Sequence, residues 1–280
     1  MIEENFSLTH PGRIPIHCTL RLSQRQGPFR LVIAAHGFRG FKDWGFFPYL
    51  CESLCQSGFA ALSFNHSHSG VRDNPFQITD LEQFSRNSTT EELNDWDLVM
   101  DSVLLGNFPY SNRIKLYSLG IVGHSRGGSY GILMTNCYPQ IRAVAAWGAI
   151  QTFQRFSLDT QQQWREKGYL EIKADGTENS VRLSVVALDA LEKNLDRLDV
   201  SRAMQMLSIP VLLVHGREDR VVPLEEGQKL WQRADHQLSR FHVIEDCGHT
   251  FKTQHPFTGP SRGLAEAVDA TIAWFQKNLR

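Results

Sequence analysis

The sequence predicts an α/β fold, in which a mostly parallel central sheet is flanked by helices on both faces. Short apolar runs alternate with amphipathic segments of helical spacing, and the apolar runs end in loops that carry glycine, histidine or aspartate. The 280 residues are 41% hydrophobic, which is enough for one large core. We therefore expect one core domain that is interrupted by a single insertion.

Two periodicities define the individual elements. Alternating apolar and polar residues at 14–22 predict a half-exposed strand near a sheet edge. Continuous apolar runs predict strands covered on both faces at 30–35, 59–64, 119–124, 142–147 and 209–215, and 241–245 is predicted as the last strand. Helical spacing predicts helices at 46–57, 88–105, 224–234 and 262–279, and a further helix from Ser129. The start of the helix at 88–105 is indicated by Ser88-Thr-Thr-Glu91, which resembles a capping box.

Residues 151–202 interrupt this alternation. The segment is rich in Gln, Glu, Lys and Asp, and it has helical stretches but no buried-strand run. Because loops of about fifty residues without structure are rare inside a compact domain, we expect a helical cap or lid here. Residues 1–150 and 203–280 then form the core domain.

The central motif is Gly123-His-Ser125-Arg-Gly127, which lies between an apolar run and a helical segment. This is the G-x-S-x-G pattern of a nucleophile elbow, in the strand, turn and helix context that it requires. Glycines flank the serine because a strained turn needs neighbours without Cβ atoms, so that strand and helix can approach closely. The motif predicts that Ser125 is a nucleophile.

A serine nucleophile needs a histidine base, and the histidine needs a carboxylate that holds its tautomer. Candidates for both follow predicted strands, in His215-Gly-Arg-Glu-Asp219 and Asp246-Cys-Gly-His249. The order Ser, Asp, His differs from that of the chymotrypsin and subtilisin types. Other candidates for the acid are Glu218, Asp246, Asp189, Asp196 and Asp199, and other candidates for the base are His242 and His255.

Together with His36-Gly37 after an early buried strand, these motifs resemble the α/β-hydrolase superfamily over nearly the whole chain. The carboxylesterase, feruloyl-esterase-like and dienelactone-hydrolase-like branch is the most similar. The resemblance implies an α/β-hydrolase fold with a helical cap inserted after the sixth strand. It also assigns Ser125 as nucleophile, Asp219 as acid and His249 as base. Dienelactone hydrolases proper carry cysteine where this chain has Ser125.

Acyl transfer also requires hydrogen-bond donors that are aimed at the developing oxyanion. We expect these donors to be the backbone N–H groups of Arg126, which follows the nucleophile, and of Phe38, in the loop after an early strand. The residues expected to line the substrate pocket are His36, Gly37, His68, Trp147 and Phe153. His66-Ser-His68 matches no zinc-ligand spacing, so we predict no metal site.

The expected activity is hydrolysis of a small-molecule carboxylic ester through an acyl-enzyme, which needs no metal or organic cofactor. The alternatives are an amide or peptide hydrolase of the acylaminoacyl-peptidase type, a non-catalytic binding member of the fold, and a cofactor-free perhydrolase. The sequence leaves the substrate and the choice between monomer and homodimer open.

Composition argues against other classes of partner. The formal net charge is −1, and the absence of a basic stripe with interleaved aromatic residues argues against nucleic-acid binding. The sequence has neither an apolar run of spanning length nor a secretory leader, so we expect no membrane partner. Five cysteines without a C-x-x-C pair fit reduced thiols, and we expect a cytoplasmic location.

Overall fold

The computed structural model describes residues 1–173 and 180–279. The strands of its main sheet are β1 (Ile2–Leu8), β2 (Ile16–Leu22), β3 (Phe29–Ala35), β4 (Phe59–Phe64), β5 (Ile114–His124), β6 (Ile141–Trp147), β9 (Val211–Gly216) and β10 (Arg240–Ile244). These eight strands lie in the order β1-β2-β4-β3-β5-β6-β9-β10. β2 is antiparallel to β1 and to β4, and the remaining pairs are parallel. The predicted mostly parallel α/β sheet is therefore confirmed.

Helices cover both faces of the sheet. The helices are α1 (Phe47–Gln56), α2 (Leu81–Ser85), α3 (Thr89–Leu104), α4 (Arg126–Met134), α5 (Leu158–Lys167), α6 (Val186–Lys193), α7 (Val200–Met206), α8 (Leu224–Arg233) and α9 (Arg262–Asn278). α1 and α9 pack on one face around Phe47 and Phe275, whereas α3, α4 and α7 pack on the other around Trp96 and Tyr130. In the described part of the chain, none of these helices is both long and apolar enough to cross a membrane.

Local chemistry accounts for most element boundaries. The hydroxyl of Ser88 accepts a hydrogen bond from the N–H of Glu91 at 3.3 Å, so the predicted cap at the start of α3 is present. The sequence did not predict β1, whose alternate residues are only partly buried because it is the outermost strand. β1 therefore forms the edge, and the predicted strand at 14–22 becomes the second strand, β2.

The segment after β6 differs from the all-helical cap that we expected. It contains α5 and α6, but between them β7 (Tyr169–Lys173) and β8 (Ser180–Ser184) form a two-stranded antiparallel sheet. The expectation failed because these strands alternate apolar and polar residues, as in Ser180-Val-Arg-Leu-Ser184, and contain no continuous apolar run. The position after the sixth strand is as predicted, while the boundaries 151–202 remain a prediction.

Candidate active site

Ser125 lies at a sharp turn between β5 and α4. Its backbone has φ 55° and ψ −125°, a left-handed conformation that is unfavourable for a residue with a Cβ atom. Its N–H donates to the carbonyl of Trp147 at 2.7 Å, which ties the turn to the end of the neighbouring strand β6. A Cβ atom on Gly127 would lie 2.4 Å from the carbonyl oxygen of Ala35 and 2.5 Å from that of His36. The predicted close approach of helix and strand therefore requires glycine at this position.

Asp219 and His249 meet at the carboxyl end of the sheet. The loop after β9 carries Asp219 and the loop after β10 carries His249, and His249 Nδ1 lies 2.7 Å from Asp219 Oδ2. The second carboxylate oxygen accepts from the N–H groups of Val221 at 2.9 Å and Val222 at 2.8 Å. Burial opposes ionisation of Asp219, but the hydrogen bond from His249 and the two amides outweigh it, so its pKa lies below the usual value. The acid and the base that the motifs favoured are thus paired.

The other candidates for these roles lie elsewhere. His242 pairs with Glu266 on the surface, and His255 is bonded to the N–H of Gly45 and the carbonyl of Phe76. Among the alternative carboxylates, Asp189 pairs with Arg165, Asp199 caps α7, and the side chains of Glu218 and Asp246 are exposed.

His124 connects Ser125 to His249. Its Nε2–H donates to the carbonyl of His249 at 2.8 Å, and the two imidazole rings are 4.4 Å apart between centroids. Burial, assisted by the neighbouring His249, lowers the pKa of His124 to about 3, so this ring is neutral at physiological pH. Ser125 Oγ is part-exposed and hydrogen-bonds no side chain or backbone group within the described ranges. The hydroxyl is therefore available to a substrate, and active-site hydrogen bonds commonly tighten only when substrate is bound.

The loop after β3 lies directly against the serine. A Cβ atom on Gly37 would lie 2.8 Å from Ser125 Cβ and 3.4 Å from Ser125 Oγ, so only glycine allows this approach. The next residue is Phe38, and neither its N–H nor that of Arg126 has a hydrogen-bond acceptor in the described part of the chain. Arg126 opens α4, where free N–H groups and the helix dipole favour negative charge. These two amides thus belong to the residue that follows Ser125 and to the residue that follows the glycine packed against it.

His36 holds this loop in place through two hydrogen bonds to the backbone. Its Nδ1–H donates to the carbonyl of Gly37 at 2.8 Å, and its Nε2 accepts from the N–H of His66 at 3.2 Å. Burial and the neighbouring His66 lower the pKa of His36 to about 3. Both ring nitrogens are occupied and the residue is 4% exposed, so His36 holds the loop and does not line a pocket, contrary to the sequence prediction.

The pocket prediction for Trp147 is also wrong. The Trp147 ring is completely buried on the face of the sheet that α1 and α9 cover, where its Nε1–H donates to Thr271 Oγ1 of α9 at 2.9 Å. Side chains alternate between the faces of a strand, and this residue falls on the α9 side. Phe153 is buried, with its ring 5.0 Å from that of Tyr130 and 5.8 Å from the guanidinium carbon of Arg126, and its place in the pocket stays a prediction. His68 is half-buried, with its Nδ1 3.0 Å from Ser67 Oγ.

Sequence reasoning missed a buried polar cluster under the site. α3 presents Glu92 towards α4 and Asp95 towards the loop after β4, and these residues are 2% and 4% exposed. Asp95 accepts hydrogen bonds from the His66 ring at 3.2 Å and from the Ser67 N–H at 2.8 Å. Burial raises the pKa of Glu92, but the charges of Arg126 and His66 and the Tyr130 hydroxyl outweigh it, and the net shift is downwards. The available signal was an acidic residue in helical register with the apolar stripe of α3.

The described residues contain no group of three or more His, Cys, Asp or Glu side chains that could hold a metal ion.

Residues 32–267 match the model of the family described as "Alpha/beta hydrolase family". The chain belongs to the alpha/beta hydrolase family. Together with the strand order, this match confirms the predicted α/β-hydrolase fold.

Known proteins similar to this chain include esterases. "Putative esterase YitV" of Bacillus subtilis (strain 168) is 25% identical over 277 residues, which cover 95% of this chain and 96% of that protein. Two solved structures share the fold. Est1E from Butyrivibrio proteoclasticus has a TM-score of 0.67 at 17% identity over 98% of each chain. Dienelactone hydrolase from Anabaena variabilis has a TM-score of 0.61 at 17% identity, covering 100% of this chain and 99% of that one. The predicted likeness to esterase-like members of the family is confirmed.

Proposed function

We propose that this hydrolase cleaves carboxylic esters of small molecules through a Ser125–His249–Asp219 triad and an acyl-enzyme intermediate. The carrying observation is the 2.7 Å hydrogen bond between His249 Nδ1 and Asp219 Oδ2, on the loops beside a strained, part-exposed serine. A carboxylate in this position keeps the proton of the imidazole on Nδ1, so that Nε2 is free to accept the serine proton. The similarity to esterases supports the ester as the substrate class.

The reaction follows from these roles. Ser125 Oγ attacks the ester carbonyl carbon while His249 Nε2 takes the hydroxyl proton, and the carbonyl π electrons move to the oxygen. The C–O bond to the alcohol then breaks, and His249 returns the proton to the leaving oxygen. Water, deprotonated by His249, attacks the acyl-enzyme in the same way and releases the acid and the free serine. Asp219 stabilises the imidazolium that forms in each half-reaction.

The oxyanion is bound by the N–H groups of Phe38 and Arg126 in this proposal. Within the described ranges both amides lack a hydrogen-bond acceptor, and the second also lies at the positive end of α4. Removing one such donor typically costs about 10²–10³ in kcat. Gly37 brings the segment that carries the first donor against Ser125, and the proposal requires both donors to reach one oxygen atom on the carbon bonded to Oγ.

The test combines turnover with covalent labelling. Ser125→Ala is expected to abolish hydrolysis of p-nitrophenyl butyrate and labelling by a fluorophosphonate probe, while circular dichroism and the melting temperature stay close to those of the wild type. Ser67→Ala is the matched control, since Ser67 Oγ also contacts a carboxylate, Asp95 at 3.1 Å, and an imidazole, His68 at 3.0 Å. It is expected to retain labelling, because Ser67 is 6% exposed. Turnover that persists in Ser125→Ala refutes the proposal.

A further inference from the structure

The two residues whose amides form the proposed oxyanion hole also contact each other through their side chains. The guanidinium carbon of Arg126 lies 4.3 Å from the centroid of the Phe38 ring, which is the distance of a cation–π stack. The residues come from different segments, the loop after β3 and the first turn of α4. The stack therefore links the two donors directly, independently of the strands that carry them.

Glu92 of α3 fixes the guanidinium in this place. Both of its carboxylate oxygens lie 3.2 Å from Arg126 Nη1, and Oε2 also accepts from the Tyr130 hydroxyl at 2.8 Å. The Glu92 side chain is 3% exposed and that of Arg126 is 18% exposed. Several hydrogen bonds hold this largely buried ion pair, and little solvent reaches it to compete for them. The guanidinium is therefore restricted to one position.

Phe38 lies in a loop that makes a tight turn. The N–H of Gly40 donates to the carbonyl of Gly37 at 3.0 Å, and Arg39 has a positive φ of 62°. The Phe38 ring is only partly buried, and beyond Arg126 it packs on Phe84, 5.6 Å away, and on the apolar cluster of the insertion around Trp164. The ring thus lies between the guanidinium, α2 and the insertion, and the Arg126 stack is one of the contacts that hold Phe38.

We propose that Arg126, held by Glu92, is a positioning residue whose side chain sets the distance between the two oxyanion donors by stacking on Phe38. The inference rests on the proposed function and deepens it. A catalytic constellation must be held within about 0.5 Å of its productive geometry, and this stack is a contact that spans the two donor segments. The Arg126 backbone supplies one donor, and the Arg126 side chain orients the other.

The test uses Arg126→Gln, Glu92→Gln and the double variant, assayed with p-nitrophenyl butyrate. Arg126→Gln keeps the backbone donor and removes the stack, so we expect kcat to fall about tenfold, less than the ~10²–10³ for a deleted donor, with KM nearly unchanged. The double variant removes both charges and leaves no unpaired buried ion. It is therefore expected to regain the melting temperature that the single variants lose, but not to regain kcat.

The affinity for a trifluoromethyl ketone is a second measurement, and it would not change if Arg126 served only the stability of the fold. Ser125 Oγ adds to its carbonyl carbon, the π electrons become the oxyanion, and His249 takes the serine proton. Affinity for this tetrahedral adduct is expected to fall by the same factor as kcat in Arg126→Gln. The matched control is Arg21→Gln, which breaks a pair of a 4% exposed arginine with Glu3 at the sheet edge. This control is expected to lower stability without changing kcat or the affinity for the ketone.

The outcomes separate the two proposals. If Ser125→Ala is inactive but Arg126→Gln has the kcat and ketone affinity of Arg21→Gln, the positioning role is wrong and the esterase proposal stands. A double variant that recovers kcat along with stability also overturns the positioning role. Persistent turnover in Ser125→Ala overturns both.

Discussion

Replacing Asp219 with asparagine should inactivate the enzyme by reversing one hydrogen bond. Asp219 Oδ1 accepts from the N–H groups of Val221 and Val222 at 2.9 and 2.8 Å, so the oxygen of an asparagine amide must occupy that position. The NH₂ group then takes the place of Oδ2, 2.7 Å from His249 Nδ1. Because NH₂ is a donor, Nδ1 must become an acceptor, and the imidazole proton moves to Nε2. A protonated Nε2 cannot accept the proton of Ser125.

The size of the effect follows from the burial of this group. The Asp219 side chain is 0% exposed, so no solvent molecule can restore the lost tautomer. The wrong tautomer in a Ser–His–Asp triad lowers kcat by about 10⁴. This corresponds to about 5 kcal/mol of barrier. The two hydrogen bonds from the N–H groups of Val221 and Val222 survive, so the loop geometry and the fold are retained.

The assay is kcat for p-nitrophenyl butyrate at pH 8, with melting temperature as the check on folding. Asp246→Asn and Glu218→Gln are the matched controls, since both residues are exposed carboxylates in the same two loops. They are expected to keep wild-type kcat within about twofold, as surface substitutions do. A loss below about tenfold in Asp219→Asn, or an equal loss in Asp246→Asn, would contradict the assignment of the acid.

Two further predictions concern residues that the structure moves from the pocket into supporting roles. The pKa of His36 falls from 6.5 unfolded to about 3 folded, so its contribution to stability is complete above pH 6.5 and is lost as the pH falls towards 3. Between these values, protonation of His36 in the unfolded state lowers the unfolding free energy by about 1.4 kcal/mol for each unit that the pH falls. Urea unfolding of His36→Gln should therefore show a shallower pH slope than the wild type, and an unchanged slope would refute the burial effect. Trp147→Phe removes the 2.9 Å hydrogen bond to Thr271 and should lower the unfolding free energy by about 1–3 kcal/mol with unchanged KM. A raised KM at wild-type stability would instead place this ring in the substrate pocket.

The sequence predicted the strands and helices well where their patterns are local and strong. β4 matches its predicted range of 59–64, and α9 at Arg262–Asn278 was predicted as 262–279. Buried strands and amphipathic helices differ in the spacing of apolar residues, and this spacing is written in neighbouring positions. Strands β7 and β8 were missed because they have a half-exposed alternating pattern in a polar segment, where spacing alone separates strand from helix poorly.

The elbow was likewise predictable, and its partners could be narrowed to a few residues. The glycines around Ser125 are required by contacts with backbone atoms, which every sequence shares, so a local motif can report them. The motifs favoured Asp219 over Glu218 and Asp246, although all three residues follow strands of the sheet. Only the folded chain shows which carboxylate lies 2.7 Å from the imidazole of His249.

The sequence by itself determined the α/β alternation, the position of the serine turn and the order of its candidate partners, because periodicity and turn chemistry act between near neighbours. The tertiary structure alone decided which face Trp147 occupies, that His36 is a buried support, and that Glu92 holds Arg126 against Phe38. These outcomes depend on the direction of side chains from segments far apart in the chain. Burial, ion pairing and the pKa of each group arise only when those segments pack together.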